Sequence, residues 1–317
     1  MIELIIKPRE TFSWEEFCTN HPKNSIAIDC YVPDIPLFQE VKSGGPRANF
    51  NHHEKVDRLA TRCTSSQVFM AIQQGLFETF RKDGLPYARV YANDCDPDVS
   101  TAVWLLKNHE QIIDIRGSPL IETLVTINDY LDTTAGCYPI NPDSEVLRKH
   151  DWVFEPYTIA RISGKLFQMK YNEMSDIIDA VCDRINDYII GKAKKLSINT
   201  NYQILGGGEN WKLVKEIGWR ARLKLISDGI KAFVTVQYQR ADGKWVYSIG
   251  RQSKYISFPV TDIYAYLNSL EGLDIQHGWG GGDTIGGSSR IHGSKFSPLE
   301  LEKIINEFEA QHKKISG

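Results

Sequence analysis

Apolar and polar positions follow two rhythms along this chain. Short apolar runs that end on a polar residue read as strands, and apolar residues spaced three and four apart read as helices. Met1 to Ile6 opens as a strand, and Ile26-Ala27-Ile28 is another that runs straight into Asp29. Val68, Phe69, Ile72, Leu76 and Phe80 form a stripe that predicts a helix over Thr64–Lys82. Tyr87–Ala92 reads as a strand leading into Asn93-Asp94, and Asp98–Lys107 as a helix capped by Asp98 or Ser100. Ser118-Pro119 has the cap-then-proline order of a helix start, with the helix running to Tyr130. Strands alternating with helices predict an α/β fold with a mostly parallel sheet and flanking helices.

The second half has a different texture. Met174, Ile177, Ile178, Val181, Ile185 and Ile189 lie near helical spacing, so Tyr171–Leu196 reads as a long helix connecting two domains. Gly206-Gly207-Gly208 reads as a flexible turn. Lys231–Tyr238 and Trp245–Ile249 are strands joined by Ala241-Asp242-Gly243-Lys244, with Asp-Gly as the hairpin signal. Val260–Leu270 reads as a helix, and a glycine-rich loop follows it. Ser297, Pro298 and Glu300 mark the start of a final helix by a capping box. The expected division is a first domain over 1–165, a connector helix over 166–200 and a smaller α/β domain over 201–317.

Composition narrows the function classes. The 317 residues are 42% hydrophobic and 24% charged, ordinary for a soluble globular protein. A net charge of -3 supplies no global basic field for long nucleic acid, which favours small substrates. No stretch approaches the roughly 20 apolar residues of a membrane helix. Glu3 interrupts the N-terminal apolar run, so a signal peptide is not expected. Six scattered cysteines without a C-x-x-C pair fit reduced thiols and a cytoplasmic protein.

Four polar clusters carry candidate chemistry. Asp29 stands at a strand end, where ligands gather in open α/β sheets. Asn51-His52-His53-Glu54 places two adjacent imidazoles in a loop, one able to bind metal while the other meets substrate. Asp94-Cys95-Asp96-Pro97-Asp98 crowds three carboxylates whose mutual repulsion a divalent cation would relieve. Oxygen and imidazole donors suit Mn²⁺ or Mg²⁺. Asp129 and Asp132 put acids at a helix C-terminus, where the helix dipole disfavours negative charge.

These segments resemble the DHH-type phosphoesterases. Asn51-His52-His53 through Cys63-Thr64-Ser65-Ser66 is similar to the family's DHH motif and the helix after it. Asp94-Cys95-Asp96, followed by Ser100-Thr101-Ala102, resembles its D-x-D segment. Residues from about 220 to 300 look like the associated DHHA1 domain, with Arg251, Gly280-Gly281-Gly282-Asp283 and Gly286-Gly287 at corresponding places. The chain departs from the pattern at Asn51 for Asp, at Asn93 for a histidine before the D-x-D segment, and at Asp283 for histidine. It also presents the D-x-D segment after the His-His segment rather than before it.

The resemblance implies a metal-dependent phosphoesterase hydrolysing a small phosphodiester or phosphoanhydride in the cleft between domains. It implies a two-metal site with Asp29 as the bridge. His52, Asp94, Asp96 and one of Asp129 and Asp132 complete the ligands, and His53 meets the scissile group. Arg251, Gly280, Gly281, Gly282, Asp283, Arg290 and His292 would hold the substrate. A short oligonucleotide or cyclic nucleotide is the expected substrate class, a homo-oligomer is compatible with the reading, and no membrane partner is expected. The alternative is a catalytically impaired nucleotide-binding or regulatory protein on the same fold.

Overall fold

The computed structural model describes residues 1–114, 118–274 and 277–316. The chain divides into two compact units. The first comprises 1–133 and 143–197, and the second comprises 134–142 and 198–317.

The first unit is an α/β layer built on a five-stranded sheet. Its strands run in the order Ile2–Ile6, Ala88–Ala92, Ser25–Ile28, Arg47–Phe50 and Leu37–Gln39. The first four are mutually parallel, and only Leu37–Gln39 is antiparallel. Residues in Ser25–Ile28 are buried throughout, as expected of a strand covered on both faces. Ile26 and Ile28 face the main core with Val68, Val90, Val103 and Ile178. Ala27, one residue out of phase, faces a smaller cluster with Phe17, Tyr31 and Tyr91.

One topological feature places the site. The strand Ala88–Ala92 is inserted between the first two strands of the chain, pairing with Ile2–Ile6 on one side and Ser25–Ile28 on the other. In the register, Ala27 pairs with Tyr91 and Ile28 with Phe50, so three neighbouring parallel strands end at nearly one level. Their carboxyl ends lead directly into Asn93–Asp98, Asp29 and Asn51–His53.

Several sequence expectations change here. Tyr171–Ile189, expected as a connector within 166–200, belongs to the first unit, and Met174, Ile178, Val181 and Ile185 line its core. The helix expected over Thr64–Lys82 ends at Gln73, because Gly75 turns the chain with φ 95°. After a short turn at Leu76–Thr79, Arg81–Lys82 pairs with Leu85–Pro86 in a small hairpin. Asp96, not Asp98 or Ser100, caps the helix Pro97–Lys107, with its carboxylate accepting from the Val99 N–H. No helix among the described residues is long and apolar enough to cross a membrane.

The second unit is a six-stranded mixed sheet in the order Gly280–Gly281, Ile285–Gly287, Trp245–Arg251, Ala232–Gln239, Lys212–Glu216 and Tyr202–Gly207. Period-two alternation divides its faces. Ala232 and Val234 join Trp211, Ile263, Leu301 and Ile305, whereas Phe233 joins Cys137, Val214 and Leu225. The helices Val260–Glu271 and Pro298–Ser316 contribute to the first of these cores, and the Ser297–Glu300 capping box is present. Gly206 and Gly207, expected in a flexible turn, end the edge strand.

The glycine-rich loop is largely a hairpin at the sheet edge, Gly280–Gly281 against Ile285–Gly287. Close backbone approach explains these glycines. A Cβ on Gly287 would lie 2.0 Å from the Tyr247 carbonyl oxygen and 3.0 Å from the Ser248 Cα. Backbone atoms inside a sheet cannot step aside as a flexible side chain can. Gly287→Ala is expected to destabilise the protein by about 1–3 kcal/mol, the usual range for overpacking, measured by urea denaturation.

Candidate metal centre

Asp29 follows its strand in the left-handed region at φ 42°, and Cys30 repeats this at φ 29°. Two consecutive non-glycine residues there are costly, and such conformations persist only where the surroundings impose them. Asn51 supplies part of that support. Its Oδ1 accepts from the Cys30 N–H at 3.2 Å, while its Nδ2 donates to the Asp34 carbonyl and to Glu54 at 2.8 and 2.9 Å. An aspartate at 51 would keep the acceptor and lose both donated bonds. An asparagine at 51 therefore has a local structural reason.

His52 is fully buried, and neither ring nitrogen has a hydrogen-bond partner. Its Nε2 lies 2.8 Å from Asp132 Oδ2, 3.6 Å from Asp98 Oδ2 and 3.9 Å from Asp29 Oδ1. At 2.8 Å the Asp132 pair is an ion-pair contact that holds the carboxyl low, although it is poorly aligned as a hydrogen bond. His53 repeats the arrangement, with Nε2 2.8 Å from Asp29 Oδ1 and both atoms unpartnered. Buried polar atoms are normally hydrogen-bonded. These donor atoms, paired with one another at 2.8 Å in the metal-free protein, could also serve as ligands around a shared cation.

The spacing agrees. Ligands of one divalent cation at about 2.0–2.2 Å from it lie no more than roughly 4.4 Å apart. Asp29, His52 and Asp98 each offer one atom within 4.8 Å of the others, as do His52, His53 and Asp132, close to that limit. The residues present therefore fit a divalent cation.

Asp98 was not among the sequence candidates for the centre. It lies in the first turn of Pro97–Lys107, 1% exposed, and accepts from the backbone N–H groups of Thr64 and Ser65 at 2.6 and 2.8 Å. Asn128 Nδ2 adds a contact at 3.3 Å. Asp94 and Asp96, expected as ligands, serve their own loop: Asp94 accepts from the Cys95 N–H at 2.6 Å and Asp96 from the Val99 N–H at 2.8 Å. Neither joins a ligand group among the described residues, although Asp96 feels the charges of the centre. Of the pair at the end of Pro119–Thr133, Asp132 faces the centre. Asp129 instead accepts from the Cys63 N–H at 2.6 Å and lies 3.7 Å from Arg62.

Arg58 also escaped the sequence reading, since an isolated arginine in a polar loop carries no signal. Only 6% exposed, it donates to the Asp132 carbonyl at 2.8 Å and faces His53 Nδ1 at 3.3 Å. A guanidinium has only donors, so this contact favours the neutral ring with its proton on Nε2 and opposes the charged form that Asp29 favours. The His53 side chain retains 25% exposure and Asp132 26%, so the centre opens toward solvent on their side, whereas His52 is sealed.

The electrostatics of the cluster favour a cation. Burial, followed by Asp29, Asp94, Asp132 and Asp98, pushes the Asp96 carboxyl well above the usual range. Burial and then Asp132 raise Asp98 to about 6, although His52 opposes them. Burial would also raise Asp29 and Asp132, but their imidazole neighbours overcome it and hold both carboxyls low. For His53, burial opposes the charge while Asp29 and Asp132 favour it, and the balance rises to about 10.

In the second unit Arg251 and Asp283 do come together. Arg251 Nε donates to the Asp283 carbonyl at 2.7 Å and Nη1 to the Ile256 carbonyl at 3.1 Å, with Nη2 3.9 Å from Asp283 Oδ2. Much of its hydrogen-bonding capacity thus clamps the glycine hairpin. Arg290 and His292 are exposed beyond that hairpin, with the His292 ring 5.3 Å from His277. No protein-family model and no curated protein sequence matches the chain.

Two outcomes are expected. Asp98 holds its proton more tightly folded than unfolded, so its contribution to metal-free stability is full below its ordinary pKa near 4 and is lost as pH rises through about 6. A cation competes with that proton, so the rise in Tm caused by Mn²⁺ should shrink between pH 7.5 and pH 5 in thermal melts. Asp29→Asn should abolish most of that rise at pH 7.5. It should also lower metal-free stability, because a depressed carboxyl contributes stability above its unfolded pKa.

Proposed function

We propose that the first unit holds the catalytic centre of a metal-dependent phosphoesterase acting on a small phosphodiester or phosphoanhydride. One observation carries the reading: buried carboxylates and imidazoles crowd to 2.8 Å of one another beside the carboxyl ends of three parallel strands. The resemblance to DHH-type phosphoesterases supports it through Asp29, His52 and His53. Insertion of Ala88–Ala92 beside Ser25–Ile28 brings the later acid segment next to Asp29, which accommodates the altered motif order.

Asp29, His52, Asp98 and Asp132 would hold the cation, with Mn²⁺ or Mg²⁺ as the expected ions. A bound divalent cation supplies Lewis acidity toward a phosphoryl oxygen and offsets the charge that develops there. The other roles belong to the chain. His53 carries its proton on Nε2 at the open side, placed to donate to a departing alkoxide. Arg58 keeps that tautomer and fixes the ring. His52 is sealed from solvent and unable to serve as a shuttle. In the second unit, Arg251 and the glycine hairpin are proposed to bind substrate on the resemblance alone.

The test is turnover by chelator-stripped protein resupplied with Mn²⁺ or Mg²⁺, assayed on bis(p-nitrophenyl) phosphate, cyclic dinucleotides and short oligonucleotides. Metal-dependent hydrolysis is expected. His53→Ala should lower kcat by roughly 10²–10⁴-fold, the usual range for a general acid, while Mn²⁺ affinity measured by calorimetry is retained. Normal Mn²⁺ binding with no turnover of any phosphoester would refute catalysis and leave a binding protein.

A further inference from the structure

Cys63 stands at the start of the helix Thr64–Gln73 and is fully buried. Its Sγ and one oxygen each of Asp98 and Asp132 lie within 4.8 Å of one another. The same two carboxylates approach His52 Nε2 at 3.6 and 2.8 Å, and that imidazole is fully buried with no well-aligned hydrogen bond at either nitrogen. Asp98 and Asp132 therefore stand between that imidazole on one side and a thiol on the other. A carboxylate has two oxygens and about four lone-pair directions, enough to serve both sides.

The backbone fixes the thiol in this place. The Cys63 N–H donates to Asp129 at 2.6 Å, and Asp129 lies three residues before Asp132 on one helix face. The next two N–H groups, of Thr64 and Ser65, donate to Asp98. Cys63 is thus tied through consecutive backbone groups to the elements that carry both carboxylates. The other close contact of its sulfur is Ser65 Oγ at 3.3 Å.

We propose that Cys63 is a metal ligand, forming with Asp98 and Asp132 a second cation position that takes a thiophilic divalent ion such as Zn²⁺ or Co²⁺ in preference to Mg²⁺. Soft sulfur donors select such ions, whereas an all-oxygen set suits Mg²⁺. Binding forms a sulfur–metal bond, and the thiol proton leaves to solvent. The inference rests on the metal-centre reading above and replaces Asp94 and Asp96 with Cys63 and Asp98 in the second ligand set.

Co²⁺ titration of the stripped full-length protein tests it, with binding followed by equilibrium dialysis and coordination by absorption. A thiolate-to-cobalt charge-transfer band in the near ultraviolet is expected in the parent and in Cys30→Ser, and is expected to vanish in Cys63→Ser. Co²⁺ bound without that band overturns the Cys63 assignment while leaving an oxygen and nitrogen centre intact. No Co²⁺ binding at all overturns the assignment together with the metal centre. Cadmium NMR on the Cys30→Ser protein, which removes the thiol beside Asp29 and His53, decides the same question should Cys63→Ser fail to fold. A cadmium resonance in the sulfur-ligated range supports the assignment, and one in the all-oxygen range overturns it.

Discussion

The carboxylate of Asp98 ties the first unit's site to its scaffold. It accepts from two successive N–H groups at the start of Thr64–Gln73 while belonging to the first turn of Pro97–Lys107. Those N–H groups have no partner within their own helix, and the dipole of that helix favours an anion there. Charge-assisted bonds of this kind contribute about 1.5–3 kcal/mol each. Asn128 brings a third helix to the same group. The carboxylate that orders three helices also faces His52, so the ligand geometry inherits the rigidity of the helix packing.

The layered fold was legible because its signals are local. The burial of Ile26 and Ile28 on one face and Ala27 on the other follows from a period of two, and the run into Asp29 was visible as a strand end. Asp29, His52 and Asp132 were also visible, since strand-end acids, paired imidazoles and acids at a helix C-terminus are unusual in themselves. Within Asp94–Asp98 the sequence also carries the signal for which acid caps the helix. Asp96-Pro97 has the same cap-then-proline order as Ser118-Pro119, and recognising it would have assigned Asp96 to the cap and released Asp98 for the centre.

Other features were not legible because they depend on distant partners. The glycines at 286 and 287 answer to backbone crowding from Tyr247 and Gly280, which no local pattern shows. The role of Arg58 depends on a carbonyl 74 positions away in the chain. The long helix Tyr171–Ile189 reads by its periodicity as amphipathic, and periodicity alone does not say whose core its apolar face fills. Asn51 reads as a lost acid in sequence and as a loop brace once Asp34 and Glu54 stand beside its amide.

The insertion of Ala88–Ala92 between two earlier strands also bears on how the protein is made. When a ribosome has released only the first eighty or so residues, Ile2–Ile6 has no neighbour in the sheet and Ser25–Ile28 is paired on one side alone. The order of synthesis thus leaves two exposed strand edges in the young chain, of the kind that invite pairing with the wrong partner. Both edges are closed by one later segment, so the sheet gains its central continuity in one long-range step rather than strand by strand. The strongly acidic stretch arrives on that same segment. Asp29 and the two histidines therefore spend the early life of the chain without the remaining carboxylates, and Asp132 joins them only after the sheet has closed.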